Sequence, residues 1–118
     1  MEKKDKKVVK PITVTDTTSN ITYTLEFNRE SVMYAERQGF NIADLQSRAL
    51  SGILDLWYFS FRANHKGVSK ETALRLLEDM GGMPDGLLER LVELYAEPYK
   101  VLIPSEDNSK NSKVVVEF

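Results

Sequence analysis

The chain has no cysteine and a single histidine, His65. The first absence excludes thiol catalysis, disulfides and Cys-based metal sites, and it fits a reducing compartment. The second leaves His65 without a His or Cys neighbour at a spacing that would hold zinc or another transition metal. A lone histidine in a polar loop serves as a cap or a hydrogen-bonding residue. There is no G-x-S-x-G turn and no Gly-rich phosphate loop, and Gly81-Gly82 is explained by helix termination. The carboxylates show no paired arrangement, so glycosidase-type chemistry has no support. No apolar run approaches the roughly 18 to 20 residues needed to span a bilayer. The basic start MEKKDKKVVK is not followed by the apolar core of a secretory signal. These absences argue against an enzyme, a metal site, a cofactor and a membrane span.

An excess of positive charge is also missing. Lys and Arg number 16 against 18 Asp and Glu, for a net charge of −2. Arg29, Arg37, Arg48 and Arg62 are interleaved with acids and form no basic stripe, which speaks against nucleic acid as a partner. The lysines of residues 3–10 make that end locally basic. They read as a solvated, disordered leader, with a weak electrostatic arm as the alternative.

What is present suits one small domain. A chain of 118 residues that is 42% hydrophobic can bury a modest core without disulfides or metals. Three regions are expected: a basic leader over residues 1–10, a single α+β domain over 11–103, and a flexible tail over 104–118. Ile12–Thr15 alternates apolar and polar residues, as do Ile21, Tyr23, Leu25 and Phe27 with their neighbours. Asp16–Asn20 between them is turn material, so the pattern predicts an antiparallel hairpin with one apolar face. A lone hairpin is marginal in water, so that face must pack on helices or on a neighbouring chain.

About four helices follow in a compact bundle. Asn28 caps the first, and Gly39 ends it, after which Phe40 packs back. Asn41, with Asp44 three positions on, caps a second that runs to about Ala63. Gly52 in its middle permits close approach of another backbone. Ser69 caps a third, with Leu74, Leu76, Leu77 and Met80 on its apolar side. Pro84 and Asp85 open a fourth, with Leu87, Leu88, Leu91, Val92, Leu94, Tyr95 and Tyr99 inside. Its outer face carries Glu89, Glu93 and Glu97, either a solvated ridge or a surface for a basic partner. After Pro104 a polar spacer leads to Val114–Phe118, either a frayed end or a strand that adds to a sheet edge.

The stretch Leu50–His65, LSGILDLWYFSFRANH, is the densest in apolar residues. Trp57, Tyr58, Phe59 and Phe61 fall within five positions. At 100° per residue their side chains spread over about 400°, too wide for one small core. Either Trp57 and Phe61 are core while Tyr58 and Phe59 cover the hairpin and last helix, or one aromatic face is a contact surface. The spacing favours Trp57 as core and Phe59 as the contact residue.

Taken together, the L-E-F-N-R-E-S-V segment at Leu25–Val32, Glu36, Gly39-Phe40, the helix ending L-W-Y-F-S-F-R-A-N-H, the L-L-E-D-M-G-G helix end and L-x-E-L-Y at Leu91–Tyr95 resemble the small tail assembly chaperones of long-tailed bacteriophages and prophages of Gram-positive hosts. The resemblance covers about residues 12–102. It implies a non-enzymatic protein of the host bacterial cytoplasm that coats the long, apolar, helical tape measure protein, keeps it soluble and recruits major tail tube subunits. It also implies homo-oligomers and a longer frameshifted form. The family has no catalytic residues. That Trp57, Tyr58, Phe59 and Phe61, with the ridge Glu89, Glu93 and Glu97, meet a partner is an expectation from the residues themselves. Two other classes stay open: a structural virion protein of the tail-completion or connector type, and a small regulator.

Overall fold

Period-two alternation becomes β1 (Ile12–Asp16) and β2 (Ile21–Leu25), paired antiparallel with Ile12 opposite Leu25 and Asp16 opposite Ile21. The computed structural model describes residues 9–102 and 117–118. The turn is closed by the Asn20 N–H donating to the Asp16 carbonyl at 2.7 Å. Asn20 takes a left-handed φ of 62°, which asparagine tolerates better than most residues. Tyr23, Leu25 and Phe27 are buried on one face, and Ile12 and Val14 are half-buried beside them. Ile21 shares their parity but is 46% exposed, because it lies at the hairpin tip. Thr13, Thr15, Thr22 and Thr24 line the other face.

α1 (Arg29–Arg37) begins with a reciprocal cap. The Asn28 side chain accepts the Ser31 N–H at 2.8 Å while the Ser31 hydroxyl accepts the Asn28 N–H at 2.9 Å, satisfying two orphan donors at once. Gly39, at φ +96°, ends the helix, and Phe40 turns back into the core.

The long second helix expected to about Ala63 is instead two. α2 (Asp44–Ser47) and α3 (Ala49–Phe59) meet at Arg48, whose φ and ψ of −139° and 69° are not helical. The break lets α2 fold against α3 at Gly52. A Cβ there would sit 2.8 Å from the carbonyl carbon and oxygen of Asp44, so the close approach expected of this glycine is realised by α2. At the other end the chain leaves the helix at Ser60. The Ser60 hydroxyl bonds the Trp57 carbonyl at 2.6 Å, and its own carbonyl accepts the Glu26 N–H at 3.1 Å.

α4 (Lys70–Asp79) is capped by Ser69, whose hydroxyl accepts the Thr72 N–H at 3.1 Å. Its buried stripe is Ala73, Leu76 and Leu77. Leu74, expected on that side, is 40% exposed, since it lies about 100° around the helix from Ala73. Met80 is in line with the stripe but exposed as well, because it is the C-cap residue, past the last turn of α4. α5 (Leu87–Leu102) starts three residues after Pro84, which closes a turn by accepting the Leu87 N–H. Leu91, Leu94 and Tyr95 are buried, whereas Tyr99, expected inside, is 37% exposed. α3 lies at the centre, touching α1, α2, α4 and α5. Among the described residues the fold is thus an α+β arrangement of one hairpin and five helices, four of them nine residues or longer.

Contacts with the domain begin before Pro11: Val9 packs on the core, and the Lys10 carbonyl accepts from Arg90 at 3.2 Å. The leader residues 1–8 and residues 103–116, including Val114, Val115 and Val116, lie outside the described residues. Glu117 and Phe118 are exposed and outside any strand. No described helix is long and apolar enough to cross a membrane.

Candidate protein-binding groove

Three of the four α3-region aromatics are core. The Trp57 indole N–H donates to the Ala73 carbonyl at 2.7 Å, a buried bond that ties α3 to α4. The Trp57 and Phe61 rings meet edge to face at 5.2 Å, and Phe61 meets Tyr23 at 5.5 Å. Phe59, expected as the contact residue, is only 4% exposed. It is closed in by Tyr34 at 6.0 Å and Phe40 at 5.9 Å. The turn at Gly39 places Phe40 there. It covers the α1 side of α3 rather than the hairpin. Tyr58 is the remaining aromatic, half-buried at the surface.

Tyr58 walls a half-open groove of about 460 Å³ between α3 and α4. Trp57 and Ala73 line its floor, and Leu54 and Leu74 add apolar sides. Leu50, Leu54 and Tyr58 follow i, i+4, i+8 along α3, so they form one strip. Leu50 extends that strip toward the start of the helix and is 75% exposed. The rim is charged by Arg48, Asp55, Lys70 and Glu71. Lys70 Nζ bridges to Asp55 at 3.2 Å across the two helices and lies 5.6 Å from the Tyr58 ring centre. An apolar floor, an amphipathic aromatic and a charged rim suit the apolar face of another helix.

Sequence reasoning singled out the aromatics and missed Leu50, Leu54 and Leu74. The i, i+4, i+8 spacing of Leu50, Leu54 and Tyr58 was the available signal. The acidic ridge is separate from the groove, on α5. Glu89 and Glu93 are exposed and Glu97 is half-buried. Arg90 approaches Glu93 at 3.8 Å and Lys100 pairs with Glu97 at 2.9 Å, so the ridge is partly neutralised by its own helix.

His65 serves the backbone. Its Nε2 accepts the Thr24 N–H at 2.9 Å, which assigns the ring proton to Nδ1. Asn64 donates to the Thr24 carbonyl at 3.1 Å and to the Glu26 carboxylate at 2.9 Å. Near α1, Arg62 donates to Glu30 at 3.1 Å while its guanidinium covers the Tyr34 ring at 3.7 Å. The Arg62 hydrogen bond holds the Glu30 carboxyl below its ordinary value. On α5, Tyr99 donates to the Glu36 carboxylate of α1. That bond raises the Tyr99 phenol, and burial raises Tyr95, helped by Tyr99 and Glu36. Among the described residues, no group of three or more His, Cys, Asp or Glu is placed to hold a metal ion.

A family model described as a domain of unknown function, DUF5055, matches residues 1–118, so the chain belongs to that family. Neither the comparison with curated proteins nor that with solved structures gave a match.

Proposed function

We propose that this DUF5055 member is a non-enzymatic tail assembly chaperone. In this reading it works in the host bacterial cytoplasm and holds the tape measure protein of a long-tailed phage soluble while major tail tube subunits are recruited. The observation that carries the reading is the groove between α3 and α4. It offers an apolar strip, Leu50–Leu54–Tyr58, over a floor made by Trp57 and Ala73. A long helical client with an apolar face would lay that face along the strip and leave its polar side to Lys70, Asp55 and Glu71. Several copies, among them a longer frameshifted form, would line up along one client.

The test is co-expression with the tape measure protein. The reading expects the client to move from the insoluble to the soluble fraction and to co-purify with several copies of the chain. A client that stays insoluble beside abundant folded chain would overturn it. Mass spectrometry of purified virions separates this role from that of a structural tail component. A chaperone is absent from the mature particle, and stoichiometric recovery would contradict the assignment.

A further inference from the structure

The charges on the rim of the α3/α4 groove are not equally available. Arg48 lies 3.1 Å from the Asp44 carboxylate, and Lys70 lies 3.2 Å from that of Asp55. Lys70 Nζ also sits 5.6 Å from the Tyr58 ring centre, so its charge is engaged twice. Glu71 differs. It is exposed, lines the groove on the same helix as Leu74, and forms no ion pair among the described residues. The reason lies on α4 itself, whose two cations are both taken: Lys70 by Asp55, and Arg75 by Asp16 and Asp79. After internal pairing the rim therefore presents one unmatched negative charge. Beside it runs the apolar strip Leu50–Leu54–Tyr58, about 12 Å long at 1.5 Å per residue, the length of about two turns of a partner helix.

We propose that the groove takes a two-turn apolar stripe of an amphipathic helix that carries a lysine or arginine beside the stripe, and that Glu71 reads that charge. This selectivity rests on the groove being the client site and names the clients it favours. Charge complementarity fixes the sign. A basic residue on the partner meets Glu71, which gives up no internal partner to receive it. An acidic residue is repelled by Glu71, and the rim's two cations, Arg48 and Lys70, must first leave Asp44 or Asp55 to greet it. Exchanging one exposed ion pair for another gains nothing. The apolar strip supplies most of the affinity and Glu71 biases it. One exposed charge pair gives a few-fold preference, largest at low salt and screened as salt rises. A long helical client presents many apolar stripes, so this bias at each groove would seat copies where a stripe and a basic residue coincide.

Trp57 is the only tryptophan of the chain and lines the groove, so its fluorescence reports occupancy. The probes are three end-blocked, alanine-rich peptides of about 18 residues, long enough to populate a helix alone. Each carries leucine at i, i+4 and i+7, and the positions flanking that stripe are lysine, glutamine or glutamate. Titration of the native chain at low salt should give the tightest binding with lysine and the weakest with glutamate, several-fold apart. Glu71→Gln, at an exposed position, should keep the circular dichroism spectrum and bind the three peptides alike. Leu74→Gln, which removes apolar surface without adding charge, should weaken all three. Equal affinities for the native chain, tightest binding of the glutamate peptide, or a lysine preference that survives Glu71→Gln would overturn the proposal and leave the groove as a helix site. Binding of none of the peptides would overturn both, and so would a native dimer in sedimentation that Leu74→Gln dissolves, since a second copy would then fill the groove. The expected order of affinities beside a tape measure protein that stays insoluble would uphold the selectivity and overturn the chaperone role alone.

Discussion

Gly52 of α3 lies against the backbone of Asp44 in α2, so close that a Cβ on Gly52 would stand 2.8 Å from the Asp44 carbonyl carbon and oxygen. Replacing a mid-helix glycine by alanine ordinarily stabilises by about 1 kcal/mol. Here the obstacle is backbone, which cannot rotate aside as a side chain would. Gly52→Ala should therefore destabilise, by about 2 kcal/mol net after overpacking is set against helix propensity. Urea unfolding checks the sign. A more stable variant would mean that α2 is free to move off α3.

Trp57 and Phe59 should behave alike. Both are buried, so Trp57→Ala and Phe59→Ala should each cost roughly 3 to 5 kcal/mol. Trp57→Phe keeps most of the volume but loses the buried bond to the Ala73 carbonyl, for a cost of about 1 kcal/mol. Tyr58→Ala should cost less than either. Thermal melts of the four variants decide; a Phe59→Ala protein with native stability would return Phe59 to the surface.

The clamp on β2 predicts a local effect. His65→Ala leaves the Thr24 N–H without its acceptor and should cost about 1 to 2 kcal/mol. The place to look is the Thr24 amide, whose hydrogen exchange should accelerate more than that of its neighbours in β2. Uniform acceleration across the strand would mean that His65 acts only through global stability.

Tyr95 and Tyr99 predict an alkaline limit. Both phenols are held above their ordinary value of 10.0 in the folded protein. A raised folded value contributes stability that is complete below the unfolded value and lost as pH rises through the folded one. Stability should therefore decline as pH climbs above about 10. Absorbance at 295 nm should show two tyrosines ionising late. Glu36→Gln removes the carboxylate that accepts from Tyr99 and should bring that phenol back toward the ordinary range. Two late tyrosines persisting in Glu36→Gln would sever Tyr99 from Glu36.

Local signals carried much of the fold. The hairpin, the caps at Asn28 and Ser69, and the stop at Gly39 were readable because each rests on a few neighbouring residues. The break at Arg48 was not, because nothing within α2 or α3 demands it; it arises from the packing of Asp44 on Gly52, eight positions away. For the same reason Phe59 was misplaced: its cover comes from Phe40 and Tyr34, whose arrival depends on how α1 docks. The groove was half legible. Its aromatic wall stands out in the sequence, whereas Leu74 reads as core because the apolar stripe of α4 is centred on a small residue, Ala73. Tyr99 follows the same pattern: its apolar ring suggests the interior, while its hydroxyl reaches out to Glu36.

The most direct test of the account is whether the α3/α4 groove holds an apolar helix of the tape measure protein. Leu74 is the residue to change, since it lines the groove and is exposed enough for a charge to be tolerated by the fold. The measurement is the soluble yield of tape measure protein co-expressed with the native chain, with Leu74→Glu, and with Thr22→Glu as a surface control far along the hairpin. The account predicts a soluble complex with the native chain and the control, and a client left in the pellet beside folded, soluble Leu74→Glu chain. A client kept soluble equally well by Leu74→Glu would contradict it.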